Sequence, residues 1–127
     1  MRVFVVEDAP HVRKRLVALL RTVGGVDVVG ESDSVRGAID GVLDSQADTV
    51  LLDLQLTDGS GLDVLAAIKP RCPALHVIVL SNFTSAQHRQ ATLKAGADFF
   101  LDKSQEFGRV PEILRAWLGD APTPARV

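Results

Sequence analysis

Short apolar runs of β-type residues alternate five times with stretches of helical periodicity, and this alternation restricts the fold more than any other feature of the chain. Val3, Phe4, Val5 and Val6 form the first run, which ends at Glu7 and Asp8. Pro10 then suits the first turn of a helix, where its missing N–H is not needed. Val12, Leu16, Leu19, Leu20 and Val23 recur at helical spacing until Gly24 and Gly25 stop the pattern. Residues 26–30 supply a second strand and residues 34–43 a second helix. The third run, residues 50–52, precedes Ser60, which has Asp63 three positions on, the pattern of a capping box. Leu62, Leu65 and Ile68 line the helix that follows, and Pro70 and Pro73 bracket its exit. Residues 76–80 form a fourth strand, residues 85–95 a helix, and residues 97–101 a fifth strand. Pro111 suits the first turn of a fifth helix, with Val110, Ile113, Leu114, Trp117 and Leu118 facing inward.

Five strands alternating with five helices predict an α/β fold, a five-stranded parallel sheet with helices on both faces. The helical segments are long enough for right-handed crossovers. Ligands of such sheets bind beyond the carboxyl ends of the strands, at a topological switch point. Periodicity does not fix the strand order.

Bulk properties narrow the class. A chain of 127 residues is expected to form one domain, and that size buries roughly two-thirds of the unfolded surface without a disulfide or structural metal. We expect the domain to occupy residues 1–119, with the Pro/Ala-rich residues 120–127 as a flexible tail or linker remnant. Cys72 is the single cysteine, so no intrachain disulfide can form, which suits a reducing, cytoplasmic compartment. Early charges at Arg2 and Glu7, and no apolar run near 18 residues, predict neither signal peptide nor membrane span. A net charge of -2 argues against broad nucleic-acid binding.

The chemistry gathers at the strand ends. Glu7 and Asp8 follow the first run, Asp53 the third, Ser81 the fourth, and Lys103 stands just beyond the fifth. Two carboxylates about 4 Å apart repel by roughly 4 kcal/mol at an effective dielectric near 20. Three acids on one rim therefore call for a cation, and hard oxygen ligands with few protein contacts suit Mg²⁺. Lys103 is expected to offset part of the repulsion when no metal is bound. Taken singly, each residue has an ordinary reading. Glu7 and Asp8 suit a solvated turn at a helix N-terminus, Asp53 a loop acid, Ser81 a cap, Lys103 a surface lysine and Phe100 plain core. Their joint placement is what points to a site.

The segments VVEDAP, LLDLQLTDGSGLDVL, VIVLSNF and AGADFFLDKS, in this order and spacing, resemble a response-regulator receiver domain, the phosphoacceptor module of two-component signalling. The resemblance covers about residues 2–118. It implies a flavodoxin-like strand order of 2-1-3-4-5, the order of the receiver that already serves as a standard example of such folds. It further implies that Asp53 is the nucleophile forming an acyl phosphate, with Asp8 ligating Mg²⁺ directly, Glu7 holding it through water, and the Gln55 backbone carbonyl as a further ligand. Ser81 would hydrogen-bond the phosphoryl group, Lys103 would pair with its charge, and Phe100 matches the aromatic whose rotamer follows phosphorylation. The implied partners are a sensor histidine kinase or histidine phosphotransfer domain and a downstream protein, with a phosphorylation-dependent dimer in the family's range and no direct contact with nucleic acid. Such a chain is a signalling phosphoacceptor with self-catalysed phosphotransfer and dephosphorylation rather than a metabolic enzyme. It would act as a stand-alone receiver, or as the receiver fragment of a longer DNA-binding regulator.

The chain departs from the family pattern at three places. Thr57 and Ser104 stand where the family often has proline, so the bond before Ser104 is expected to be trans. Asn82 stands where a small residue is usual and narrows access to the phosphoryl group. Gln55 and Phe83 occupy the variable positions beside the site, where they can block or position an attacking water. Helix four has few large apolar residues and is expected to be the moving element. Arg13, Lys14, Arg15 and Arg21 make helix one basic, which reads either as a solvated face or as a docking surface for the kinase or phosphotransfer domain. His11 lies near the acidic rim without a second His or Cys, so zinc is not expected; His76 and His88 read as strand-edge and helix-surface residues.

Three rival readings remain. A haloacid-dehalogenase-type phosphatase needs D-x-D-x-T, but Gln55 replaces the second Asp, and an amide cannot shuttle the proton. A flavodoxin-like cofactor binder needs a phosphate loop after the first strand, where this chain has acids. A degenerate receiver that binds partners independently of phosphorylation conflicts with the complete set of acids, hydroxyl and lysine, and Asn82 beside Ser81 keeps that reading open.

Overall fold

The computed structural model describes residues 1–119; the expected tail, residues 120–127, lies outside the described residues. In chain order the elements are β1 (Arg2–Val6), α1 (Pro10–Leu20), β2 (Asp27–Ser32), α2 (Val35–Ser45), β3 (Thr49–Asp53), β4 (Gln55–Leu56), β5 (Gly59–Ser60), α3 (Gly61–Ile68), β6 (His76–Ser81), α4 (Ala86–Lys94), β7 (Phe99–Asp102) and α5 (Arg109–Trp117). The five main strands are parallel in the order β2-β1-β3-β6-β7, the arrangement expected as 2-1-3-4-5.

The period-2 pattern explains the two-sided core. Phe4, Val6, Val50, Leu52, Val77, Val79 and Phe100 face one layer, where Ala38 and Val42 of α2 and Val64, Leu65 and Ile68 of α3 meet them. Val3, Val5, Leu51, Ile78, Leu80, Phe99 and Leu101 face the other, against Leu16, Val17 and Leu20 of α1 and Val110, Ile113 and Leu114 of α5. Fully burying one such side chain contributes about 1.5–3 kcal/mol, so the sheet is held by both layers at once.

Several boundaries differ from the sequence expectation. β2 runs over Asp27–Ser32 rather than 26–30 because its pairing with β1 carries an irregularity between Val3 and Phe4, which carries the register on to Ser32. β7 begins at Phe99, since Ala97 and Asp98 serve the turn before it; the Asp98 backbone N–H donates to Val77 O and its carboxylate accepts from Val77 N–H. A two-residue antiparallel pair, β4 with β5, was not foreseen, because two residues leave no periodicity to read. Trp117 and Leu118, expected inward, are half-buried; Trp117 stacks on His76 with ring centroids 4.4 Å apart. The capping box is present: Ser60 accepts from Leu62 N–H while Asp63 accepts from Ser60 N–H. No peptide bond among the described residues is cis.

Candidate functional site

Register brings the site together. Val6 lies opposite Leu52, so Glu7 leaves β1 beside Asp53, the last residue of β3. Asp53 lies opposite Leu80, and Ser81 opposite Asp102, so Lys103 leaves β7 on the same rim. Glycine at 61 is required there. A Cβ would meet the Asp53 carbonyl oxygen, so only glycine lets α3 start directly against the end of β3.

The three expected acids converge. Glu7, Asp8 and Asp53 each offer a carboxylate oxygen, and these oxygens all lie within 4.8 Å of one another. Glu7 and Asp53 are buried and Asp8 half-buried. The Lys103 ammonium sits between two of them, 2.6 Å from Glu7 Oε1 and 3.0 Å from Asp53 Oδ2. It donates a hydrogen bond to Asp53. Toward Glu7 it makes a close ion pair whose alignment leaves the buried Oε1 without a hydrogen bond. The other Glu7 oxygen accepts from Ala9 N–H, and Asp53 Oδ1 accepts from Gln55 N–H.

Burial dominates the titration of Glu7. It pushes the carboxyl up to about 7, against the lowering effect of Lys103 and the Ala9 N–H, and the Asp53 charge pushes the same way as burial. Burial works against the Lys103 ammonium, but its close contacts with Glu7 and Asp53 and their charges outweigh this and raise its pKa. An acid triad with one oxygen lacking a donor is a set of hard ligands short of positive charge. It fits Mg²⁺, which takes carboxylates and keeps several waters, one of which can donate to Glu7 Oε1.

Ser81 is 1% exposed, and its hydroxyl oxygen accepts from Phe83 N–H at 2.9 Å. Its proton remains available to an acceptor. Phe100 is fully buried on the α4 side of the sheet. Gln55 starts β4 opposite Ser60 and is exposed, as are Asn82 and Phe83. Two clefts flank the rim. One, of about 330 Å³, is lined by residues that include His11, Asn82, Lys103 and Phe107; a second, of about 370 Å³, is lined by residues that include Gln55, Phe83 and His88.

Other expected roles resolve as follows. His11 is exposed and outside the acid cluster. On α1, Arg13 is tied down, donating to Glu7 O at 2.8 Å and pairing with Glu31 at 3.3 Å, and Arg15 lies over the Phe107 ring. Lys14 and Arg21 remain exposed. His76 begins β6 and His88 lies exposed on α4, as expected. Thr57 fastens its loop, its backbone N–H and its hydroxyl both donating to Asp33 O. The sequence reading missed the Phe83–Ser81 bond and the contact of Arg89 with Phe100; neither follows a spacing rule.

The family model described as the response regulator receiver domain matches residues 3–115. Among curated proteins, the chain is 35% identical over 103 residues to the DNA-binding transcriptional activator DevR/DosR of Mycobacterium tuberculosis, covering 81% of this chain and 48% of that one. It is 28% identical over 115 residues to the response regulator protein VraR of Staphylococcus aureus, covering 91% and 55%. The chain thus spans about half the length of the curated relatives it matches. Among solved structures, the isolated receiver domain of RcsB from Salmonella enterica, with a phosphomimetic beryllium fluoride, superposes with a TM-score of 0.85 at 26% identity, covering 98% of this chain and 93% of that one. The receiver domain of NarL from Mycobacterium tuberculosis gives a TM-score of 0.83 at 27% identity, covering 94% and 97%.

Proposed function

This chain belongs to the response-regulator receiver family, and from that premise we propose that Asp53 accepts a phosphoryl group from a phosphohistidine of a sensor kinase or phosphotransfer domain. The carrying observation is the ammonium of Lys103 set between Glu7 and Asp53 in a rim of three clustered carboxylates. An Asp53 oxygen forms the new P–O bond as the donor's P–N bond breaks, and the electron pair leaves with the imidazole. Charge grows on the peripheral phosphoryl oxygens during transfer, and fixed positive charge aimed there is the main catalytic contribution. Lys103 supplies part of it, and the Ser81 hydroxyl donates to one oxygen. Mg²⁺, when bound, neutralises the remainder; Asp8 and Asp53 would hold it directly, with the Gln55 carbonyl, and Glu7 through water.

The same pocket governs loss of the group, when water attacks phosphorus and Asp53 leaves as carboxylate. Gln55 and Phe83 flank the approach, so Gln55→Ala and Phe83→Ala are expected to change the lifetime of the acyl phosphate; an unchanged dephosphorylation rate in both would contradict their role. On phosphorylation Ser81 moves toward the new group and leaves room for Phe100, which shifts α4 and changes the α4/β7 face presented to a protein partner.

A second reading of the output rests on the relatives. DevR/DosR is a DNA-binding activator about twice the matched length, which favours this receiver acting on a DNA-binding segment. Under either reading the receiver itself makes no contact with DNA, and the 127-residue chain is expected to leave the anisotropy of labelled duplex DNA unchanged. The phosphoacceptor reading is tested with a small-molecule phosphoryl donor and Mg²⁺, followed by intact mass. A base-labile adduct of one phosphoryl group is expected in the wild type and absent in Asp53→Asn; an adduct surviving in Asp53→Asn contradicts it.

A further inference from the structure

Helix α4 has little to hold it. Of its nine residues only Thr92 is buried, and the Thr92 hydroxyl donates within the helix, to His88 O. Leu93 is half-buried against the core, and the residues from Ala86 to His88 are exposed. Ser85 caps the N-terminus from outside, its hydroxyl accepting from His88 N–H. Apolar burial, which fixes the other helices, is scarce here.

One side chain replaces it. The Arg89 guanidinium lies over the Phe100 ring, 5.0 Å from its centroid, and Nη1 donates to the Phe100 backbone oxygen at 3.1 Å. One residue thus grips both the face and the main chain of the same β7 residue. Two acids beyond Phe100 feel the same charge. Asp102, held below the usual carboxylate range first by Ser104, is also held there by the Arg89 charge; Glu106 is a second acid within reach of that charge. The planar guanidinium suits this double contact, because it can stack and donate at once, whereas an ammonium is a point donor.

Resting on the phosphoacceptor reading above, we infer that Arg89 is a positioning residue. It latches α4 over Phe100 in the resting state and so restrains the rearrangement that accompanies phosphoryl capture. The mechanical link is continuous. The Ser81 hydroxyl accepts from Phe83 N–H, which ties the loop before α4 to the site. Any inward movement of Ser81 therefore pulls on the N-terminal end of a helix whose middle is held at Phe100. Ring movement and helix movement both require the guanidinium to let go. A ligand or modification shifts such an equilibrium only by its differential interaction with the two states, and the Arg89 contacts belong to one of them.

Amide hydrogen exchange on the metal-free, unphosphorylated full chain tests the latch directly. Arg89→Ala is expected to speed exchange over residues 86–94 about tenfold while the amides of α1 and α5 keep their wild-type rates, with Arg89→Lys in between. Exchange over residues 86–94 within twofold of wild type, or equal acceleration in α1 and α5, overturns the latch. The link to the reaction is read from the rate of adduct formation with a small-molecule donor and Mg²⁺, expected to rise at least threefold in Arg89→Ala. A loosened helix with an unchanged rate overturns the positioning role. A wild type that forms no adduct overturns the Asp53 reading instead, and the exchange data still decide the latch.

Discussion

An ammonium held between two buried carboxylates, as Lys103 is between Glu7 and Asp53, serves the resting pocket as much as the reaction. Removing one partner of a buried ion pair leaves the other charge uncompensated, at a cost of about 3–5 kcal/mol. Lys103→Met is therefore expected to lower the urea unfolding free energy by about 3 kcal/mol without Mg²⁺, and excess Mg²⁺ is expected to recover part of the loss. An unchanged midpoint would contradict the pairing. Glu7 gives a pH signature. Its folded pKa, about 7, lies above the ordinary value of 4.5, so between these values the folded state binds more protons than the unfolded one. Its contribution to stability is then present at low pH and is lost as pH rises through about 7. The Tm of the metal-free protein should fall from pH 5 to 7.5, less steeply in Glu7→Gln, and Mg²⁺ should reduce the fall. Equal slopes in wild type and Glu7→Gln would remove Glu7 as the cause.

The elements differ in how they are held, and that difference assigns their roles. α3 is fixed by its capping box and by the contact of Gly61 with the end of β3. Gly61→Ala forces a methyl into the Asp53 carbonyl oxygen, and overpacking of this kind costs about 1–3 kcal/mol. Reduced stability and slower adduct formation are expected together, because the displaced main chain is that of Asp53; full activity in a destabilised variant would show that the site tolerates the shift. α4 lies at the other extreme, with one buried residue and one arginine holding it. Its weak anchoring was legible in its sequence, because a helix with few large apolar residues has no face to bury. The Arg89 contact was not, because a cation over a ring eleven residues away follows no helical or strand period.

At the scale of the whole molecule, the sheet order and both core layers follow from alternation and from the family resemblance, and the acids meet because adjacent parallel strands end in register. What stayed hidden has local causes. The end of β2 is set by an irregular pairing with β1, and β4 and β5 are too short to carry a pattern. The Ser81–Phe83 bond depends on the turn of the loop rather than on residue type. No helix among the described residues is long and apolar enough to cross a membrane. The central proposal is a traffic of phosphoryl groups between protein surfaces. The most direct test of that traffic is where the group lands. Borohydride reduction of the phosphorylated chain, followed by peptide mapping, converts an aspartyl phosphate to homoserine. The account predicts homoserine at position 53 and nowhere else, and only when Mg²⁺ and a donor were present. Homoserine at another acid, or none in a folded protein that binds Mg²⁺, would contradict it.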